Sequence, residues 1–428
     1  MKLKALSTAM ILATVPMTGA FAAALDRSGQ SIAAFLQPGN YFEAGISVLD
    51  PNVSGKVKDN WVPQGQPAQA APTIGLENSN LGDMGSDYYF PHAALKLQLT
   101  DQFSFGLIYD QPFGADAAYS SSDKGSALLG GGGLFHSGGE VTAVEVDTQN
   151  LSMIVGFQPT ENFNIYGGPV YQTVKGDVQL RGFAYGGPAA FGGYNAQIKE
   201  DSAVGWLAGL AYQIPEIALK ASVTYRSEID HETTMVESAI PAGTLPGVIN
   251  LNAGKGTTEI TTPQSVNLDF QTGVMANTVA FANLRWVNWK DFSIRPHAFG
   301  KAAEALGSLG QGPKGGFDLV SYTDDQISAT VGVGRKLNDQ WAGNVSVGWD
   351  SGAGNPVSTL GPTEGYWNVG LGVQYSPATN YFIAGGVKYF MLGDAKAQTG
   401  AQAGGSDYVA EFEDNDAWAY GLKIGYRF

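Results

Sequence analysis

The chain contains no cysteine, which excludes disulfides and thiolate metal sites. Nowhere after the N-terminus does an apolar run approach the roughly 18 residues that a membrane-spanning helix needs. If the chain lives in a bilayer, only a closed β-barrel satisfies its backbone groups. Charged residues make up 15% of it, and acids outnumber bases to a net charge of −15. That balance argues against nucleic acid as a partner. Histidine is scarce too: His92, His136, His231 and His297 are all there are. No G-x-S-x-G occurs, and His231-Glu232 has no second histidine four residues on, so hydrolase and zincin chemistry lack their residues. Gly130 to Gly133 lacks the Gly-Lys-Ser/Thr of a phosphate loop. Glu411, Glu413, Asp414 and Asp416 lack the turn glycine of a calcium loop and read as a solvated acidic loop. No enzyme, metal or cofactor is expected.

What the chain does have is an export signal and an alternating pattern. Met1 to Ala24 reads as a secretory signal peptide, with Lys2 and Lys4 ahead of an apolar run over 5–15. Ala20-Phe21-Ala22 and Ala22-Ala23-Ala24 are both acceptable cleavage sites. At the far end, Trp418, Tyr420, Leu422, Ile424, Tyr426 and Phe428 alternate with Ala419, Gly421, Lys423, Gly425 and Arg427. Period 2 with an aromatic face and a small or cationic face describes a strand between an apolar medium and a polar interior. Similar segments recur along the chain. The expected fold class is all-β, a single-chain antiparallel transmembrane barrel with a short N-terminal lumenal plug.

Short polar turns fall at 100–102, 159–161, 214–216, 275–277, 338–340 and 376–378, with longer Gly-rich connections between them. Six turns and seven loops give fourteen strands, with both termini in the periplasm. A charge facing lipid at mid-membrane costs about 2–4 kcal/mol, so Arg226, Glu228, Lys388 and Lys423 are expected to point into the lumen. Arg226 either holds a ligand carboxylate or pairs with Glu228. Trp206, Trp286, Trp349, Trp367 and Trp418 suit the interfacial belts.

Three features depart from a plain barrel. Residues 25–39 precede the first strand, and a cap at Asp26 or Ser28 predicts a short helix carrying Ile32, Ala33, Phe35 and Leu36 to Pro38. Tucked into the lumen it is a plug; left outside it is an interfacial tail. Next, Pro112 follows the third strand beside Phe113 and Gly114, and proline cannot donate to a ladder. It marks either a kink that opens the wall sideways or an early strand end. Finally, two loops are apolar, one with Phe183, Tyr185 and Phe191, the other with Ile240, Leu245, Val248 and Ile249. Exposed apolar surface points to a binding groove.

The order and spacing of Leu49-Asp50-Pro51-Asn52-Val53-Ser54-Gly55, Thr224-Tyr225-Arg226-Ser227-Glu228 and Trp286-x-x-Trp289-x-x-Phe292 resemble the FadL-type family of long-chain fatty-acid and hydrophobic-compound transporters. The likeness covers nearly all of the chain after the signal, divided as a hatch over 25–39 and a barrel over 40–428. It implies an outer-membrane protein of a Gram-negative bacterium, a monomer, with passive uptake of a fatty acid or small hydrophobe. It also implies a hatch-gated lumen, a groove between two extracellular loops, and a kinked third strand opening the wall at Pro112, Phe113 and Gly114. The hatch is shorter than family members carry, and no Asn-Pro-Ala precedes the first strand. Outer-membrane lipid, lipopolysaccharide and the barrel-assembly machinery, reading Phe428, are the expected further partners. The alternative reading is a hydrophilic porin.

Overall fold

The computed structural model describes residues 24–63, 66–121, 125–187, 190–238 and 255–428. Its main sheet has seventeen segments, of which three spanning strands contribute two each, so fourteen strands cross. They are β1 (Tyr41–Asn52), β2 (Tyr88–Gln98), β3 (Phe103–Asp110 and Gly114–Ala118), β4 (Ala143–Phe157) and β5 (Phe163–Gln179). Then come β6 (Asn195–Ile214), β7 (Leu219–Arg226 and Ile229–Ser238), β8 (Lys255–Thr262 and Ser265–Met275) and β9 (Thr278–Val287). β10 (Gln326–Lys336), β11 (Trp341–Asp350), β12 (Tyr366–Ala378), β13 (Tyr381–Leu392) and β14 (Asp416–Arg427) complete the wall. Neighbours are antiparallel, and β1 pairs with β14 from Tyr41 opposite Arg427 to Asn52 opposite Asp416. The barrel is closed.

Alternation explains the wall. Trp418, Tyr420, Leu422, Ile424 and Tyr426 are exposed to the surroundings, whereas Lys423 between them is buried in the lumen. Trp206, Trp349, Trp367 and Trp418 are also outward, while Trp286 is half-buried and donates its indole N–H to Asp325. Five of the six short turns lie at or within a residue or two of the polar punctuation; the sixth falls at 379–380, because β12 runs on through Ala378. The same strand periodicity fails to show one thing: β7 is interrupted at Ser227-Glu228, and the buried set passes from Ser222, Thr224 and Arg226 to Ile229, His231 and Thr233. Glu228 is exposed, not lumenal, and Arg226 bonds Ser152 and Gln30 instead of Glu228.

Above the barrel the long connections build a packed cap. A small five-stranded sheet joins segments of the loops after β1, β11 and β13. The helix His297–Ser308 starts against β7, where the Glu237 carboxylate accepts the Ala298 and Phe299 N–H groups at 2.7 and 2.8 Å. An anion there satisfies orphan donors at the positive end of the helix. Trp289, Phe299, Phe317 and Tyr194 belong to one apolar cluster that fills the cap.

Candidate functional site: the hatch and the opening beside it

Residues 24–39 lie inside the barrel. The expected short helix is absent; a single turn forms, with Phe35 N–H to Ile32 O at 3.0 Å and Gln37 N–H to Ala34 O at 3.3 Å. Five or six residues are too few to hold a helix by propensity. The two side chains expected as caps are engaged elsewhere. Asp26 pairs with Arg285 at 2.7 Å, both side chains buried, and the Ser28 hydroxyl donates to Asp110 at 2.5 Å.

The tip of this hatch replaces a strand. β2 and β3 are paired from Gln98 opposite Ser104 to Ala93 opposite Tyr109, and beyond that only Gly85 meets Ala117. Between lies a gap at Gln111, Pro112 and Phe113. Into it the hatch supplies the missing bonds: Arg27 N–H to Pro112 O at 2.6 Å and Gly114 N–H to Leu25 O at 2.8 Å. Asp26 and Phe113 form an antiparallel bridge, and the Thr148 hydroxyl serves both the N–H and the carbonyl of Phe113. Every buried backbone group at a kink needs such a partner. A Cβ on Gly114 would lie 2.3 Å from Arg27 Cζ, so only glycine admits the Arg27 guanidinium there. That guanidinium also sits 4.1 Å over the Tyr88 ring and 3.7 Å from Asp147.

Across the lumen the hatch is tied to β7, β8 and β9. Arg285 donates to Asn267 and Gln30, Asn267 donates to Gly29 O at 2.8 Å, and Ser265 donates to Gln30 at 3.1 Å. Farther down, Phe35 packs edge-on to Tyr166, with its ring where side chains on Gly106 and Gly156 would otherwise stand. Lys220 and Lys96 donate to the carbonyls of Leu36 and Gln37 at 2.8 and 2.6 Å. Cations suit the carbonyl end of a turn.

The hatch separates two cavities. The upper, about 50 Å³, is walled mainly by apolar groups, among them Leu25, Met84, Val144, Val146 and Leu360, with Gly114 at its floor. The lower, about 470 Å³, is mixed: Ile32, Leu36, Ile108, Phe270, Phe281 and Val387 line it together with Lys220, Asp269, Asn283, Lys388 and Lys423. It also reaches Pro91, Tyr109 and Gln111, which border the gap in the wall. Of the residues the sequence singles out, Phe35 is seated in the wall and not in either cavity. Phe183, Tyr185 and Phe191 sit in the cap. Phe191 stacks 4.5 Å from Phe299, and the Tyr185 hydroxyl donates to Thr359. Ile240, Leu245, Val248 and Ile249 fall outside the described residues. Arg285, Arg27 and Thr148 were not anticipated, and Asp26 was expected only as a helix cap, since nothing in a strand pattern says which lumenal polar group meets the plug.

The family model for outer membrane protein transport proteins (OMPP1/FadL/TodX) matches residues 22–428. The chain belongs to that family. It is accordingly an outer-membrane transport protein. Among solved structures, a FadL homologue from Pseudomonas aeruginosa shares the fold at TM-score 0.66 and 17% identity, covering 92% of each chain. The Pseudomonas putida toluene transporter TodX aligns at TM-score 0.58 and 12% identity, over 96% of this chain and 94% of that one. The Ralstonia pickettii toluene transporter TbuX aligns at 0.55 and 13%, over 96% and 98%. No curated protein matches by sequence. At these identities the structural likeness concerns the fold.

Proposed function

We propose that this transporter carries long-chain fatty acids or other small hydrophobic molecules inward across the outer membrane and releases them through the wall between β2 and β3. The observation that carries the reading is the hatch tip bonded into the β3 kink, between a small apolar cavity above and a larger mixed one below that reaches the gap. An apolar molecule gains about 0.8 kcal/mol for each methylene it buries. The upper cavity, about 50 Å³, is too small for such a molecule until the hatch moves, and the charged groups below, Lys220, Asp269, Lys388 and Lys423, disfavour passage farther down the lumen. Displacement of 25–28 uncovers the gap at Gln111–Phe113, which leads sideways to hydrocarbon. No energy source is required; the motion is diffusion down a gradient, gated by the hatch. The loop bearing Phe183, Tyr185 and Phe191 and the segment with Ile240, Leu245, Val248 and Ile249 are the proposed site of first capture. The chain acts as a monomer without catalysis, in contact with lipopolysaccharide, after insertion by assembly machinery that reads Phe428.

Uptake decides it. Cells lacking their own fatty-acid transporter and expressing this chain are given labelled oleate, labelled toluene and a small sugar. Entry of either hydrophobe without the sugar supports the reading and begins to fix the ligand. Sugar uptake alone converts the protein into a porin. Replacing Gly114 with valine forces Arg27 out of the kink and is expected to reduce hydrophobe uptake several-fold, since the added Cβ meets Arg27 Cζ at 2.3 Å. Unchanged uptake at equal expression would sink the lateral exit.

A further inference from the structure

Proline interrupts the wall a second time. β8 stops at Thr262, before Pro263 and Gln264, and resumes at Ser265; β7 stops at Arg226 and resumes at Ile229. β6 runs unbroken beside them, yet its ladder to β7 exists only over Leu207–Ile214 and Asn195–Ile198. Both stretches keep one register, Leu207 opposite Arg226 and Asn195 opposite Ser238. Residues 199–205 of β6 thus face β7 in alignment without the ladder, below which Ser227 N–H still donates to Trp206 O at 2.9 Å.

Side chains close this seam instead. Thr233 donates its hydroxyl to Lys199 O at 2.6 Å, and at the lower edge the Ser227 hydroxyl accepts the Trp206 N–H at 3.0 Å beside the one backbone bond from Ser227 N–H to Trp206 O. The His231 ring stands between Asp201 of β6 and Gln172 of β5, 3.0 Å from each. The middle is filled by Ile229, whose Cγ1 lies 2.5 Å from the position of a Cβ on Gly205. Any residue larger than glycine at 205 would expel it. Behind Ile229 a cavity of about 10 Å³ is bordered by Trp206 on the lipid side and by Phe113 of the β3 kink and Gln30 of the hatch on the other. Just below, Trp206 and Tyr225 lie 5.1 Å apart, marking the aromatic girdle where hydrocarbon begins.

We propose that the β6–β7 seam is a second side passage, closed in this conformation by Ile229, through which a hydrophobic molecule moves between the hatch and the headgroup layer just above the hydrocarbon, where Glu228, Asp230 and Glu232 face outward. The proposal rests on the transport reading and adds to it a separate route at a separate place in the wall. Its physical basis is the cost of opening. A handful of side-chain links and one apolar stopper yield at lower free energy than a continuous backbone ladder, and local opening follows the weakest stretch.

The absence of cysteine makes a direct test simple. Ile229→Cys is prepared in outer-membrane vesicles and exposed to pyrenylmaleimide dissolved in the lipid. Ala384→Cys is the control, since Ala384 is fully buried and laddered on both sides, opposite Gln374 of β12 and Lys423 of β14. The seam is expected to give labelling at least about tenfold faster at 229, because thiol reactivity tracks exposure in locally opened states. Adding Gly205→Ala should raise that rate further. Equal rates at 229 and 384 overturn the proposal and reduce the seam to a local interruption of the ladder. Labelled oleate and toluene uptake is measured in parallel. Fast labelling with no uptake by the unmodified chain ends the transport reading but leaves the opening in place. Slow labelling in a chain that does transport ends the second passage alone.

Discussion

Asp26 and Arg285 show how much of the hatch rests on single residues. Their carboxylate–guanidinium pair is buried on both sides and bonded further to Asn267 and Gln30. Removing one partner from a buried pair costs about 3–5 kcal/mol, mostly because the other charge is stranded. Arg285→Ala is therefore expected to speed amide hydrogen exchange in residues 25–30 by roughly a hundredfold or more, while the barrel strands keep their protection. Asp26→Ala combined with Arg285→Ala should recover much of the loss, since no charge is left behind. Equal exchange in the single variant and the parent would show that the pair does not hold the hatch. Their pairing was not legible beforehand. Alternation tells which side chains enter the lumen, but a lumenal arginine meets its partner only after closure brings strands far apart in sequence face to face. Gly114 was legible for the opposite reason: proline two residues earlier demands a break wherever the strand lies.

At the scale of elements, the strands follow from the sequence and their interruptions follow only where proline is read correctly. Pro112 announces the β3 gap. Pro263 announces the break in β8 just as plainly, but it lies between Thr262 and Gln264 in a polar stretch that gives no sign of a strand around it. The interruption at Ser227-Glu228 left no composition signal, so parity was carried through it and Glu228 was assigned to the wrong face. The loop between β11 and β12 carries a titration that no local motif suggested. Burial pushes the Glu364 carboxyl up to about 7, reinforced by repulsion from Asp324 and partly opposed by the Gly354 N–H. A carboxyl with a raised folded pKa binds its proton more tightly in the folded loop than in the opened one. Its contribution is thus fully present at low pH and is lost as pH rises through about 7. Hydrogen exchange over 351–365, corrected for intrinsic rates, should show less protection at pH 8 than at pH 6. Glu364→Gln should remove that difference. A pH dependence that persists in the variant would place the titrating group elsewhere.

For the whole molecule, the fourteen-strand count was within reach because each spanning segment is short, alternates with period 2, and ends in a recognisable turn on the periplasmic side. The lumenal plug at 25–39 was within reach as well, but the cap over the outer mouth was not, because it comes from packing between distant loops. Two barriers stand in series. The cap fills the outer mouth with an apolar cluster in which Tyr119 stacks on Phe135 at 3.9 Å and Trp289 is fully buried. Beneath it the hatch spans the lumen from the β3 kink to Arg285 on β9. Ions and sugars find neither barrier passable without stripping their water, whereas an apolar solute meets in the first a phase like itself. The expected electrical behaviour follows: purified protein in planar bilayers gives no porin-sized conductance steps. Arg285→Ala, which frees only the hatch, should leave the conductance closed because the cap remains. Discrete open steps in the unmodified protein would mean that water runs through the lumen, and the two-barrier account would fall with the apolar route it supports.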